Sequence, residues 1–138
     1  MRRVAMAGGN ALALLAAAPA LALTPGLYEY SMKLNMPGMP ANIPPTVTQR
    51  CLGAADVAGN KAVELPPLPN SDCKVLNQII NGAVFSYRVA CTTPQKLDGE
   101  VRGTVSATSL NMEMTMRIPE APAPMTQFIT ARRLGDCQ

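Results

Sequence analysis

Methionine is the residue type whose spacing in this chain could do chemistry. Nine methionines occur among the 138 residues, and five of them form two motifs, Met36-x-x-Met39 and Met112-x-Met114-x-Met116. Thioether ligands select soft ions such as Cu(I). The pattern therefore leaves a site for Cu(I) or Ag(I) open as one hypothesis, with these five residues as its ligands. The competing interpretation is an apolar core, because flexible methionine fills irregular gaps well.

Catalysis is not indicated by the sequence. The chain contains no His, which removes Ser-His and Cys-His nucleophiles and His-ligated metals. No G-x-S-x-G, P-loop or zinc-protease motif occurs, and no spacing of carboxylates argues for paired acid–base work. We therefore predict that the protein is not an enzyme and uses no cofactor.

The first 22 residues have the features of a secretory signal peptide. Arg2 and Arg3 precede the apolar stretch 11–18, and a small-x-small cleavage site follows at 20–22. The apolar stretch is shorter than the roughly 20 residues that span a bilayer. We predict a signal helix over residues 1–22, one exported domain over residues 23–138, and no transmembrane segment after cleavage.

Charge excludes one class of partner. Loss of Arg2 and Arg3 with the signal peptide would lower the formal net charge from +3 to +1. The remaining basic residues are scattered and form no stripe that could neutralise a phosphate backbone. Nucleic acid is therefore not an expected partner.

Four cysteines are expected to staple the exported domain. Their number is even and none belongs to a C-x-x-C pair, so two structural disulfides are more consistent with the sequence than a redox or zinc motif. The cysteines are Cys51, Cys73, Cys91 and Cys137.

Apolar and polar residues alternate with a period of two along most of the chain, which predicts strands with one buried face. Residues 28–36 show the pattern first, and Val47–Cys51 and Thr126–Arg133 are further strands. Residues 52–72 are punctuated by glycine and proline, which predicts a loop with one helical turn near Ala54–Val57.

Two hairpins complete the sheet, and burial sets their expected registers. Around a three-residue loop at 81–83, Cys73 would face Cys91 and Val75 would face Val89, within disulfide reach. The same register sets Ile79 against Phe85 and Asn77 against Tyr87 on one apolar face. We therefore predict the disulfides Cys73–Cys91 and, by remainder, Cys51–Cys137.

In the second hairpin, Gly103 would face Met114, leaving room for the long methionine. Val101 would then face Met116, and Glu100 would face Arg117 on the outer face. About seven one-sided strands predict an all-β antiparallel meander, curled into an open or closed barrel or folded into a sandwich.

The sequence resembles the exported bacterial family called domain of unknown function 3617, over Pro25 to Cys137. The segments that carry the resemblance are Pro25-Gly26-Leu27-Tyr28, Met36-Pro37-Gly38-Met39-Pro40, Thr48-Gln49-Arg50-Cys51-Leu52, Asp72-Cys73-Lys74-Val75, the Met-x-Met-x-Met strand and Arg133-Leu134-Gly135-Asp136-Cys137. The resemblance implies a small, mostly β protein of Gram-negative bacteria, periplasmic or secreted, with no established activity. In such proteins a capping Ser or Thr usually begins the turn after the second strand, whereas Gly53 stands here.

These observations favour a binding protein whose partner is an apolar small molecule, a lipid or another envelope protein. A small curled sheet can hold one apolar ligand on its inner face. The candidate lining residues share the inward parity of their strands: Tyr28, Tyr30, Met32, Phe85, Tyr87, Met112, Met114 and Met116. The alternatives are the methionine metal site and a structural envelope protein without a small ligand.

Overall fold

The computed structural model describes residues 22–40, 42–64 and 70–138. These ranges contain seven strands and one short helix. The elements are β1 (Gly26–Asn35), β2 (Thr46–Leu52), α1 (Ala54–Ala58), β3 (Lys74–Asn81), β4 (Val84–Cys91), β5 (Leu97–Val105), β6 (Ser109–Arg117) and β7 (Met125–Gly135). The predicted signal helix and all but the last residue of the predicted signal peptide lie outside the described residues. Within the described ranges, no helix is long and apolar enough to cross a membrane.

All seven strands join one antiparallel sheet in the order β2-β1-β7-β6-β5-β4-β3. The prediction of an all-β antiparallel fold is confirmed. Strands β3 to β7 form a meander, but β1 lies beside β7 and β2 lies outside β1, so the chain's first and last strands are neighbours. No ladder joins the edge strands β2 and β3 in the part of the chain that the structure describes. The sheet is therefore open.

Alternation along the strands separates an inner from an outer face. We call inner the face that carries fully buried Tyr28, Phe85, Tyr87, Val101 and Leu110. Side chains of opposite parity, such as Glu100 and Glu113, are on the outer face, where they are exposed.

The sheet curls around a segment of its own chain. The Tyr30 hydroxyl on β1 donates to the Ala62 carbonyl at 3.3 Å, and the Tyr87 hydroxyl on β4 donates to the next carbonyl, that of Val63, at 2.6 Å. Strands β1 and β4 are four positions apart in the sheet, which is about 19 Å in a flat sheet at roughly 4.8 Å per strand. Strand side chains stand roughly perpendicular to the sheet, so two tyrosines that meet adjacent carbonyls from that separation indicate a curved sheet. Buried Val57, Ala62 and Val63 lie in the curve.

Helix α1 confirms the helical turn predicted near residues 54–57. Gly53 is its N-cap and has no side chain to accept a hydrogen bond from the first turn. Instead, the Gly53 N–H donates to Asp56 Oδ2 at 2.9 Å, which is the reciprocal half of a capping box. The acidic side chain also favours the positive end of the helix dipole.

Both predicted disulfides form. Cys51 and Cys137 join β2 to the end of the chain with a Cα–Cα distance of 5.6 Å. Cys73 and Cys91 join the open ends of the β3–β4 hairpin at 4.1 Å.

The register of the β3–β4 hairpin agrees with the prediction before residue 77 and differs from it after residue 78. Val75 faces Val89, but a β-bulge at Asn77 and Gln78 shifts the remainder by one residue, so that Ile80 rather than Ile79 faces Phe85. The predicted pairing of Asn77 with Tyr87 is also lost in the bulge, and the hairpin closes through the two residues 82–83 instead of three. Asn77 adopts φ 54°, a left-handed conformation that asparagine tolerates better than most residues, and this permits the bulge.

The β5–β6 hairpin has the predicted faces but not the predicted pairs. Gly103 faces Met112 and Val101 faces Met114, two residues away from the expected register. A shift of two preserves which side chains are inner. The turn explains the shift, because Ser106 Oγ accepts from the Ser109 N–H at 3.1 Å and closes the hairpin earlier.

On the outer face of this hairpin, the predicted pair Glu100–Arg117 is wrong. Arg117 faces Asp98, while Glu100 faces Thr115. Arg102 faces Glu113 instead, and its guanidinium bonds to Glu100 on its own strand at 2.5 Å.

Candidate binding surfaces

The residues predicted to line an inner-face site do lie together on that face. Five are buried and three are partly buried against the same core. The buried residues are Tyr28, Phe85, Tyr87, Met112 and Met114, and the partly buried ones are Tyr30, Met32 and Met116.

The tyrosine hydroxyls on this face donate hydrogen bonds to backbone carbonyls of the same chain. The Tyr28 hydroxyl donates to the Thr24 carbonyl at 2.6 Å, and the hydroxyls of Tyr30 and Tyr87 bind the 62–63 segment. Burial raises the pKa of Tyr28 and of Tyr30, so these groups remain protonated donors. At this end of the sheet, Leu23, Val63 and the tyrosines pack as core, and the chain's own residues fill the space proposed for a ligand.

The five methionines proposed as metal ligands are divided by the sheet. Met112 and Met114 lie on the inner face and are each 5 % exposed. Met39 instead lines a crevice together with Phe128, whose side chain is on the outer face. Met116 faces Met125 directly across β6 and β7, a methionine pair that the sequence did not predict.

One apolar recess lies on the outer face, and Phe128 lines it from β7. The ring lies between Thr126 and Thr130 on the polar parity of β7 and is 42 % exposed. A recess of about 600 Å³ crosses β4 to β7 beside it. The recess is lined by Val84, Phe85, Ser86, Arg102, Gly103, Thr104, Asn111, Met112, Glu113, Phe128, Ile129 and Thr130.

A smaller crevice continues from the other side of the same ring. It holds about 150 Å³ between the end of β1 and the loop that follows. Leu34, Met36, Met39 and Ile43 supply apolar walls, and Phe128 lines both cavities. We call the recess and the crevice together the Phe128 groove.

Lys33 is the cation at the crevice end of this groove. Lys33 faces Phe128 across β1 and β7 and lines the crevice. Within the described ranges Lys33 makes no ion pair. In the wider recess, Glu113 faces Arg102 across β5 and β6, so the charges there balance. The hydrogen bond that Arg102 donates to Glu100 raises the pKa of the guanidinium.

A second outer recess, of about 480 Å³, is charged rather than apolar. Its arginines and carboxylates face each other across neighbouring strands: Arg88 with Glu100, Asp98 with Arg117, and Arg102 with Glu113. Opposite charges placed directly across a ladder stabilise strand pairing modestly. This surface is therefore a solvated, charge-balanced sheet face.

Sequence reasoning concentrated on inner parities and missed the Phe128 groove. The available signal was an aromatic residue in a polar position, in the run Thr126-Gln127-Phe128-Ile129-Thr130. An apolar side chain on the wet parity of a strand has no role in the core that the alternation defines, which makes it a candidate for contact with something else.

Fold and cysteines together define a small open β-sheet protein stapled by two disulfides, which suggests an oxidising, exported compartment. The chain belongs to the family described as Protein of unknown function (DUF3617), whose model matches residues 23–137. The resemblance in the sequence is thereby confirmed. No curated protein and no solved structure matches the chain.

Proposed function

We propose that the protein is a non-catalytic periplasmic binding module for an anionic amphiphile, such as a fatty acid, and that the Phe128 groove is its binding site. The acyl chain would lie against Phe128, and the carboxylate would be near Lys33. The observation that carries this proposal is Phe128 itself, a half-exposed aromatic ring between two recesses on the outer face of the sheet.

The size and lining of the groove support an elongated apolar ligand. Ligand pockets are usually about 300–1,000 Å³ with mainly apolar walls and a few placed polar groups. The recess alone is about 600 Å³, and the crevice extends it. Phe128 at 42 % and Val84 at 56 % exposure offer the apolar surface that a bound chain would remove from water.

Charge supports one orientation of the ligand. Lys33 is at the crevice end, and the wider recess contains the balanced pair Arg102 and Glu113. An exposed ion pair contributes about 0–1 kcal/mol, so Lys33 would select the anionic head and contribute little to affinity.

Titration with dodecanoate, followed by heteronuclear NMR, tests this assignment. We expect Phe128→Ala to weaken binding by about tenfold or more, the equivalent of one aromatic contact of roughly 1.4 kcal/mol. Val47→Ala is the matched control, because Val47 is 54 % exposed on β2 and outside the groove. Binding that is unchanged by Phe128→Ala would refute the site.

Lys33→Gln tests the orientation separately. We expect weaker binding of dodecanoate and unchanged binding of dodecanol, since only the former carries the charge that Lys33 would meet. Equal effects on the two ligands would show that the head group is elsewhere.

A further inference from the structure

Strand β3 is an edge strand with apolar side chains exposed on both faces. Val75 is 43 % exposed, Leu76 42 % and Ile79 62 %. The sequence pattern predicted one buried apolar face here, and this is wrong, since seven of the eight residues of β3 are exposed. An edge strand also presents a row of unpaired backbone N–H and C=O groups, which is a template for pairing with another strand.

The bulge decides which side chains share a face. In a regular strand Val75 and Ile79 would point the same way. Because the bulge at Asn77 and Gln78 shifts the register by one, Val75 and Ile80 are on the inner face, while Leu76 and Ile79 are on the outer face.

We propose that β3 pairs antiparallel with β3 of a second copy of this chain, in the register that sets Leu76 opposite Ile79. The same register sets Val75 opposite Ile80 and Asn77 opposite Gln78. Within residues 75–80 every apolar residue then meets an apolar residue and every amide meets an amide, because this segment is a palindrome in polarity.

The geometry of a two-fold axis supports this register. An axis perpendicular to the sheet joins inner face to inner face, and directly opposed residues of antiparallel strands lie on the same face. Leu76 and Ile79 are both outer, and Val75 and Ile80 are both inner, so the bulge makes the palindromic register possible.

Charge also permits self-pairing. Lys74 is the only charged residue of β3 and would face Asn81 of the second copy, so the two lysines are at opposite ends of the interface. The other edge, β2, is less suited, since it has polar Thr46, Thr48, Gln49 and Arg50 and one exposed large apolar residue, Val47. An isologous β3 contact closes after two copies.

Sedimentation equilibrium of the exported, disulfide-bonded protein tests the proposal. We expect the wild-type protein to dimerise reversibly below about 0.5 mM, and Ile79→Lys to weaken dimerisation by about tenfold or more. Val47→Lys is the matched control on the other edge and should leave the dimer intact. A wild-type protein that is monomeric throughout this range, or equal loss in both variants, would overturn the proposal. A monomer whose β3 amides become protected only when another protein is added would assign the edge to that protein instead.

A mixing experiment tests the register. Leu76→Lys and Ile79→Glu should each be monomeric alone and should form a heterodimer when mixed, because the new charges face each other across the two-fold axis. The control mixture is Leu76→Lys with Leu76→Glu, whose charges are not opposed in this register. Native mass spectrometry counts the species, and circular dichroism checks that each variant is folded. Equal heterodimer in both mixtures would refute the register.

Discussion

Replacing Gly103 with alanine tests how closely Phe85 on β4 packs over β5. Gly103 on β5 lies between Phe85 on β4 and Met112 on β6. A Cβ placed there would lie 2.7 Å from Phe85 Cε1 and closer still to Phe85 Cζ and to the backbone oxygen of Asn111. Phe85 is 1 % exposed, and the Asn111 oxygen belongs to the backbone of β6, which pairs with β5.

The cost follows from these two rigid neighbours. Overpacking a well-packed site usually costs about 1–3 kcal/mol. Because one obstacle is a buried ring and the other is backbone on the opposite side, we expect Gly103→Ala to be at the upper end, about 3 kcal/mol. For a domain of this size that corresponds to a Tm lower by roughly 10–20 °C.

Urea unfolding of Gly103→Ala beside Gly99→Ala provides the measurement and its control. Gly99 is on the same strand and face, and a methyl group added to it would have its nearest neighbours at 3.7–3.8 Å, which is ordinary contact. We expect Gly99→Ala to change the free energy of unfolding by less than about 1 kcal/mol, in either direction. If the two variants are equally stable, the close packing of Phe85 over Gly103 is refuted.

Two further predictions concern hydrogen bonds. Tyr87→Phe leaves the Val63 carbonyl without its 2.6 Å donor and should lower the free energy of unfolding by about 1–3 kcal/mol, measured in urea. Tyr30→Phe removes a longer bond of 3.3 Å and should lower it by less. Equal losses in the two variants would contradict the role of Val63 in holding the curl. Asp72 accepts from the Thr92 hydroxyl and from the N–H groups of Thr92 and Thr93 at 2.8 Å each, which holds the pKa of its carboxyl well below the usual range. Its stabilisation is therefore complete above the unfolded pKa of about 3.9 and is lost as the pH falls further, so between about pH 5 and pH 2 the wild type should lose stability more steeply than Asp72→Asn. Parallel stability curves would contradict this assignment.

The faces of the strands could be predicted from the sequence because alternation depends on one physical variable, the burial of apolar area. Tyr28, Phe85, Val101 and Leu110 are inner as their parity requires, and shifting a hairpin by two residues does not change that. Both disulfides were predictable for a related reason, since Cys73 and Cys91 close the half of the hairpin that precedes the bulge.

Register could not be predicted, because it depends on local turn chemistry that hydrophobic patterns do not report. Ser106 closes the β5–β6 turn with its own hydroxyl, and Asn77 bulges β3 by adopting a positive φ. Neither feature changes the average polarity of its strand. The place of β1 beside β7 is a third example, since that pairing joins opposite ends of the chain and no local signal announces it.

The filled inner face also decides where binding can occur on this fold. Tyr28, Tyr87 and Val63 occupy the concave side, so a ligand there would have to displace hydrogen-bonded core. The outer face and the edges carry no such cost. Phe128 and Ile79 are apolar residues at outer positions of their strands, and they remain 42 % and 62 % exposed. Folding buries only part of such a side chain, and the rest leaves water only when a ligand or a second copy covers it. This difference between the filled inner face and the exposed apolar residues is why both proposed contacts lie on the outer face or at an edge, although the alternation predicts a binding site on the inner face.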